Sequence, residues 1–465
     1  MTVDLKELAT SVVQRAMRGG AHAAECVVRE GDEFSTVVRM GQVETLKESG
    51  GRSMGLRVFY DVINGNALRG SGALGRSAAS TYTSDFSKEG LEQLISGALT
   101  LAKLMDSDPY AGLPEKGQFG QVEGDLGLYY DDVYSLPTEE RIAQARRAEQ
   151  AAMSADKRIS NSEGGSFDAA TGRKVLANSL GFVGEYQRSY CSLSAVPIAQ
   201  DSEGGSMQRD FWYSVARTLA KLDSPEHVGK VAAERTVRRL GARKVPTARV
   251  PVVFEPMVAR ALVENIFEAV NGDAIYRGAS FLAGRLGEQV AGENVNVVDD
   301  GAMPGGFGTS PFDGEGVPTR RTVVIDRGVL KSYLLNTYTA RKLGMATTGN
   351  AARGLAGNPG IGVGNFFLQP GTKAPQEIIG EIADGLYVTE FLGFGVNLVT
   401  GDFSRGASGL WIRNGELAFP VEEITVAGNL RDMIRSITAI GSDLEFRGAV
   451  ASPTIRIDGL TVAGE

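Results

Sequence analysis

Glycine sets the first constraint on what this chain can fold into. There are 60 glycines among 465 residues, well above the usual share of about 7%, and they gather between short runs of β-prone residues. A glycine allows backbone bends that other residues resist, so the pattern calls for many hairpins rather than a helical bundle. Residues 410–413 and 416–419 flank Asn414-Gly415, the strongest short hairpin signal a sequence can carry. Residues 322–325 and 329–334 flank Asp326-Arg327-Gly328 in the same way. Nearer the start, the runs 25–29, 34–39, 43–47 and 56–60 are separated by polar or glycine stretches. They read as an antiparallel meander of short strands.

Helices punctuate this β-rich chain. Leu5, Leu8, Val12, Val13 and Ala16 mark one face of a helix that stops at Gly19-Gly20. Ser87 caps a second helix running to about Met105, and Ile142, Ala145, Ala148 and Ala152 mark a third over residues 138–154. A basic helix over 228–240 reads as a solvated face and leads to Gly241-Ala242-Arg243-Lys244-Val245-Pro246. The length exceeds one hydrophobic core, and we place a boundary there, between residues 1–240 and 241–465. The second half opens with a strand at 249–254, a helix begun by Pro256, then mostly strands, with one further helix near 375–383. The reading is α+β, with a β-rich, glycine-bent second domain that is barrel-like.

Composition narrows the function. A net charge of −8 disfavours a nucleic-acid-binding surface. No stretch approaches the roughly 18 apolar residues of a membrane span, and Met1-Thr2-Val3-Asp4-Leu5-Lys6-Glu7-Leu8 lacks the apolar core of a signal peptide. The expectation is a soluble, cytoplasmic protein. Cys26 and Cys191 are the only cysteines, which fits two buried thiols. Ser162-Glu163-Gly164-Gly165-Ser166 and Ser202-Glu203-Gly204-Gly205-Ser206 both read as turn tips. Ser404 and Ser408 sit in a glycine-rich segment read as a turn that lets two backbones approach, with only His22 and His227 available as a base. Gly360-Ile361-Gly362-Val363-Gly364 lacks the spacing of a dinucleotide loop. Asp299, Asp300, Asp313 and Glu315 could hold a hard cation, but their glycine and proline surroundings fit loop chemistry better.

Several segments carry a family pattern: Arg158-Ile159-Ser160-Asn161-Ser162-Glu163-Gly164, Asn178-Ser179-Leu180-Gly181-Phe182-Val183-Gly184, and Pro311-Phe312-Asp313-Gly314-Glu315-Gly316. Tyr338-Thr339-Ala340-Arg341-Lys342-Leu343-Gly344, Thr400-Gly401-Asp402-Phe403-Ser404-Arg405-Gly406-Ala407-Ser408-Gly409 and the run from Pro420 to Leu430 extend it. In these the chain resembles the TldD/PmbA family, in its TldE (PmbA) branch. The resemblance implies an N-terminal α/β domain with a curved antiparallel sheet and a C-terminal β-rich, barrel-like domain. It also implies a heterodimer in which TldD is the zinc peptidase and TldE its partner, acting on unfolded peptides in peptide-antibiotic maturation and antitoxin degradation.

The catalytic subunit of that family carries a His-Glu-x-x-x-His helix. Anchored on Asn271-Gly272-Asp273 and Arg277-Gly278-Ala279-Ser280, the matching helix here reads Val263-Glu264-Asn265-Ile266-Phe267-Glu268. Val263 and Glu268 stand at the histidine positions, Glu264 at the glutamate position, and no cysteine follows Cys191 to supply a third ligand. Valine has no lone pair to give a metal. Positions five apart are also about 140° apart on a regular helix, so ligands there would need a widened turn. Glu264 is the one remnant, and it equally suits a helix ion pair with Arg260. The expectation is a subunit without its own metal, zinc residing in the partner. Gly401, Asp402, Phe403, Ser404 and Arg405 are the candidates for peptide capture or assembly, by adding an extended peptide to a sheet edge. The rival expectation is a stand-alone, homodimeric peptide-binding or scaffold protein.

Overall fold

The computed structural model describes residues 4–62, 75–201 and 205–464. Part of the second turn-tip reading, Ser202-Glu203-Gly204, lies outside these residues, as do Met1-Thr2-Val3.

The N-terminal lobe is one antiparallel sheet made from β1 (Ala23–Arg39), β2 (Gln42–Val62), β3 (Gly75–Thr83), β4 (Ile159–Asn178), β5 (Val183–Gln200), β6 (Met207–Arg209) and β7 (Trp212–Ala216). The order is β3-β2-β1-β4-β5-β6, with β7 also paired to β5. The short strands expected at 25–60 are in fact two long ones. Residues 30–33 and 48–52 do not turn, because the β1–β2 ladder runs through them, and Gly31 stands opposite both Gly51 and Gly172. The turn is instead Met40-Gly41, both with positive φ, as a tight two-residue hairpin requires.

Helices cover one face of this sheet. α1 (Leu5–Arg18) is capped by Asp4, whose carboxylate accepts from the Lys6 amide, and buries Leu5, Ala9, Val12, Val13 and Ala16. α2 (Lys88–Leu104) is capped by Ser87. These two pack against Cys26, Val28, Leu56 and Val175. α3 (Thr138–Ala155) and α4 (Pro225–Val237) cover the far end of the same face, over Phe34, Phe167 and Leu193. Alternation along β1 then sends Glu25, Val27 and Arg29 to the opposite face, toward the second lobe.

The Ser162–Ser166 segment is not a turn tip but part of β4. It forms a bulge between Ser162 and Gly164, where Gly164 takes φ +121 and its amide donates to Ser162 Oγ at 2.8 Å. The next residue is glycine because a Cβ on Gly165 would sit 2.2 Å from the Ala145 carbonyl of α3.

In the C-terminal lobe, β8 (Ala248–Phe254) is followed by α5 (Pro256–Val270) and α6 (Gly272–Tyr276). A small sheet combines β9 (Val297–Asp300), β10 (Arg321–Asp326), β11 (Val329–Leu330), β14 (Phe366–Leu368) and β19 (Val450–Ala451). β12 (Ala351–Ala352) pairs with β13 (Gly360–Ile361). The short helices α7 (Thr337–Leu343), α8 (Pro375–Gly380) and α9 (Leu430–Arg435) link these pieces. The main sheet is built from β15 (Asp384–Leu392), β16 (Asp402–Arg413), β17 (Glu416–Asn429), β18 (Ile437–Ile440), β20 (Ile455–Ala463) and β8, in the order β17-β16-β15-β8-β20-β18. Pairing of β17 with β20 closes five of them into a barrel. Asn414-Gly415 and Arg327-Gly328 make the expected hairpins, all four with positive φ.

The segment 402–409, expected as a turn, is the first part of strand β16. Its glycines do allow backbones to approach: a Cβ on Gly409 would lie 2.0 Å from the Tyr387 carbonyl.

Candidate functional site

Glu255 and Pro256 open α5 at the end of β8, with proline at the first turn where its missing N–H costs nothing. Val258, Leu262, Val263, Ile266 and Ala269 form its buried face. Covering each large apolar side chain contributes roughly 1.5–3 kcal/mol, so this face fixes how the helix is rotated. Val263 is sealed in the core beside Leu368, Leu430, Met433, Ile455 and Ile457. Glu264 and Glu268 stand on other parts of the helix surface. The helix is regular α throughout 256–270, so positions 263 and 268 diverge.

Cations lie near Glu264, and none is paired with Glu268 among the described residues. Arg260 Nε lies 4.0 Å from Glu264, with both side chains about half exposed. Arg405, from β16, sits with its guanidinium 4.6 Å over the Phe391 ring. Burial lowers the Arg405 pKa, and the Glu264 charge opposes that shift. Burial, then repulsion from Glu264, raises that of Glu268. Arg405 and Glu264 thus feel one another's charge, although 141 residues separate them in sequence.

The other residues singled out near Arg405 are spent differently. The Gly401 amide donates to the Asn397 carbonyl at 2.7 Å, and Asp402 accepts from Thr400 Oγ1 and Asn429 Nδ2. Phe403 is a core residue packed on Phe391. Ser404 is exposed, and its amide closes the Gly395 loop. No histidine approaches Ser404 or Ser408 along this lobe, since His22 Nδ1 accepts from the Asp61 amide and His227 begins α4.

The donors around α5 do not fit a zinc ion. They are two carboxylates, Glu264 already paired with Arg260, with a valine turned into the core. Among the described residues no group of three or more His, Cys, Asp or Glu side chains could hold a metal. The second acidic group is spent on loop backbone. Asp299 accepts from Asn350 Nδ2 at 2.6 Å and the Gly364 amide at 2.8 Å. Asp313 accepts from the amides of Glu315, Val317 and Ala351, and Glu315 from that of Thr337. Burial pushes Asp299 up to about 6 and raises Asp313 and Glu315. It also pushes the Cys26 and Cys191 thiols up to about 12.

One expectation is overturned near the site. The basic end of α4 is not a solvated face. Arg235 is buried against Glu255 at 2.6 Å and Asp210 at 3.4 Å, Arg238 reaches Glu255 at 3.2 Å, and Arg239 reaches Glu390 at 2.7 Å. The carboxylates lie far away in sequence, so charge pattern along the helix could not reveal them. The same holds for Glu25, buried between Arg57 and Arg353, and for Arg29, Lys174, Arg188 and Arg217, which line one concavity of the sheet. Strand alternation was the only signal for these last four.

The chain is thus an α+β protein in which a lobe built on one antiparallel sheet joins a barrel lobe with a helix set against it. Models of the PmbA/TldA metallopeptidase match in chain order: domain 1 over residues 24–102, the central domain over 131–240 and the C-terminal domain over 247–464. The chain belongs to this family, in its PmbA (TldE) branch. It is 36% identical to the metalloprotease PmbA of Escherichia coli O157:H7, covering 99% of this chain and 96% of that one. It is 33% identical to the PmbA homologue of Haemophilus influenzae over the same shares. A crystal structure from Bacteroides thetaiotaomicron, described as a putative modulator of DNA gyrase, superposes with a TM-score of 0.89 at 27% identity and covers all of both chains. TldE from Thermococcus kodakarensis shares the fold, with a TM-score of 0.82 at 21% identity over 98% of this chain and 100% of that one.

Proposed function

We propose that this chain is the non-catalytic subunit of a cytoplasmic peptidase complex, pairing with a TldD-like chain that carries the zinc. Its role is to shape the chamber and hold unfolded peptide substrates, as in maturation of peptide antibiotics or degradation of antitoxins. The observation that carries this reading is α5. By sequence it matches the family's zinc helix, yet it pairs Glu264 with Arg260 within the field of Arg405 and buries Val263. A glutamate can polarise a metal-bound water only where a metal has lowered that water's pKa. A carboxylate–guanidinium cluster instead suits holding a peptide or a partner. Since the barrel closes on itself, strand addition falls to the edges of the N-terminal sheet: β3, which pairs only with β2, and β6 and β7, which pair only with β5, among the described strands.

The test is peptide cleavage by this chain alone, by a zinc-bearing partner alone and by the two mixed, alongside elemental analysis of each. The expected outcome is no stoichiometric zinc in this chain, cleavage that needs the partner, and a gain on mixing. Glu264→Gln should leave the mixture within a few-fold of wild type. One tightly held zinc per chain, or equal cleavage by this chain alone, would sink the proposal. A mixture no faster than the partner alone would favour a stand-alone peptide-binding homodimer.

A further inference from the structure

A groove of about 730 Å³ lies on the face of the N-terminal sheet that is free of helices. Strand register arranges its floor in three rows. The first is Ser53, Arg29, Lys174 and Tyr186; the second is Gly51, Gly31, Gly172 and Arg188; the third is Ser49, Glu33, Ala170 and Tyr190. Three glycines in register leave a trough across the central strands, where no side chain holds a ligand away from the backbone. Arg217 and Phe307 close one end.

The charge in this groove is unbalanced. In a chain of net charge −8, Arg29, Lys174, Arg188 and Arg217 have no carboxylate within ion-pair distance among the described residues. Arg29 donates only to the Arg353 carbonyl, and Lys174 lies 5.8 Å over the Tyr186 ring. Arg217 is buried in a cage of carbonyls, Gly305, Gly306, Phe307, Leu128 and Ser189, which orient the guanidinium without neutralising it. Two acidic residues, Glu30 and Glu33, are in the groove's lining against these four cations, Glu33 standing across the glycine row from Arg29 and Lys174; Asp168, one row further on, is held by the hydroxyls of Ser35 and Ser192. A concave, low-dielectric wall concentrates the field of such cations on whatever enters.

We propose that this groove binds a carboxylate-rich stretch of an extended peptide; this deepens, and rests on, the peptide-handling role above. The cations are spread over neighbouring strands about 4.8 Å apart instead of converging on one point. That arrangement suits several separate carboxylates better than a single phosphate. The glycine trough admits a peptide backbone, and Tyr186, Tyr190 and Phe307 offer walls for its apolar side chains. The acidic substrate segment would be held on this subunit.

The test is fluorescence anisotropy of the full chain with a labelled peptide of alternating glutamate and alanine, and with its glutamine-for-glutamate counterpart. The acidic peptide should bind at least about tenfold more tightly than the glutamine one, and raising salt to about 0.5 M should erase that preference. Lys174→Glu and Arg188→Glu should each remove it too, with melting temperature unchanged because neither residue holds an ion pair. Arg188→Lys should retain most of it. If both charge reversals bind the acidic peptide like wild type, the groove assignment is wrong. If the two peptides bind equally to all forms, the peptide-handling role stands and the acidic preference falls. If neither peptide binds, both fail.

Discussion

At the scale of single residues, burial decides what a side chain can do at this site. Val263 looks in sequence like one substitution away from a metal ligand, yet its neighbours are aliphatic core. Val263→His with Glu268→His would bury an imidazole without a hydrogen-bond partner, a cost of about 1–3 kcal/mol, and would still aim the two rings about 140° apart. The expected result is a less stable protein with no chelator-sensitive peptidase activity; efficient cleavage would show that α5 can rotate or widen. Glu264 and the absence of zinc donors were legible from the sequence because they are local. The nearness of Arg405 to Glu264 was not, because it depends on how β16 passes α5. Asp299 gives a second prediction. Its pKa rises from an ordinary 3.8 to about 6 in the folded chain, so the native state holds a proton that the unfolded state has released. Stability should therefore fall as pH rises from about 4 to 6, by on the order of 3 kcal/mol. Asp299→Asn should make that part of a stability–pH curve shallower, the buried Asp313 and Glu315, also raised, supplying the slope that remains; an unchanged slope would place the titration elsewhere.

At the scale of elements, the sequence was most informative where a rule is local. Asp4 and Ser87 cap their helices as side-chain chemistry requires, and Asn414-Gly415 turns as its left-handed tolerance allows. It misled where glycine served another purpose. Gly31, Gly51, Gly165 and Gly409 lie inside strands and read as punctuation, but Gly165 and Gly409 are there because another backbone passes close by. The two uses can be separated by substitution. Gly41, in the β1–β2 turn, has φ +75 and open space around its missing Cβ. Gly41→Ala should cost only the left-handed strain, roughly 1–2 kcal/mol. Gly409→Ala must push β15 and β16 apart, since the added carbon would lie 2.0 Å from a carbonyl oxygen. Its cost should reach about 4 kcal/mol or more. Denaturant midpoints compare the two directly, and equal losses would refute the steric reading of Gly409.

At the scale of the whole molecule, the question is whether the lobes behave as one body. Many domain pairs within a chain meet through polar surfaces and move independently. Here Phe312 from the second lobe is fully buried among Val27, Leu176, Phe182 and Tyr186 of the first, and Gly55 lies directly against the Leu355 backbone. Separating the lobes would expose that aromatic cluster at roughly 25 cal/mol per Å². The buried ion pairs add less net energy, because desolvation offsets much of their attraction. Their effect is to fix how the lobes dock, and losing one partner is costly: Arg235→Met, which leaves Glu255 with Arg238 alone and Asp210 with Arg239 at 4.0 Å, should cost about 3 kcal/mol. The chain's only two tryptophans allow a direct test, since Trp212 belongs to the first lobe and Trp411 to the barrel. Thermal unfolding followed by fluorescence in Trp411→Phe and in Trp212→Phe should give coincident midpoints. In the Arg235→Met background, the transition reported by Trp212, whose ring lies 5.2 Å from the Arg235 guanidinium, should move to lower temperature ahead of the barrel's. Two well-separated transitions with Arg235 intact would mean that the aromatic contact does not couple the lobes, and that the groove and α5 can move relative to one another.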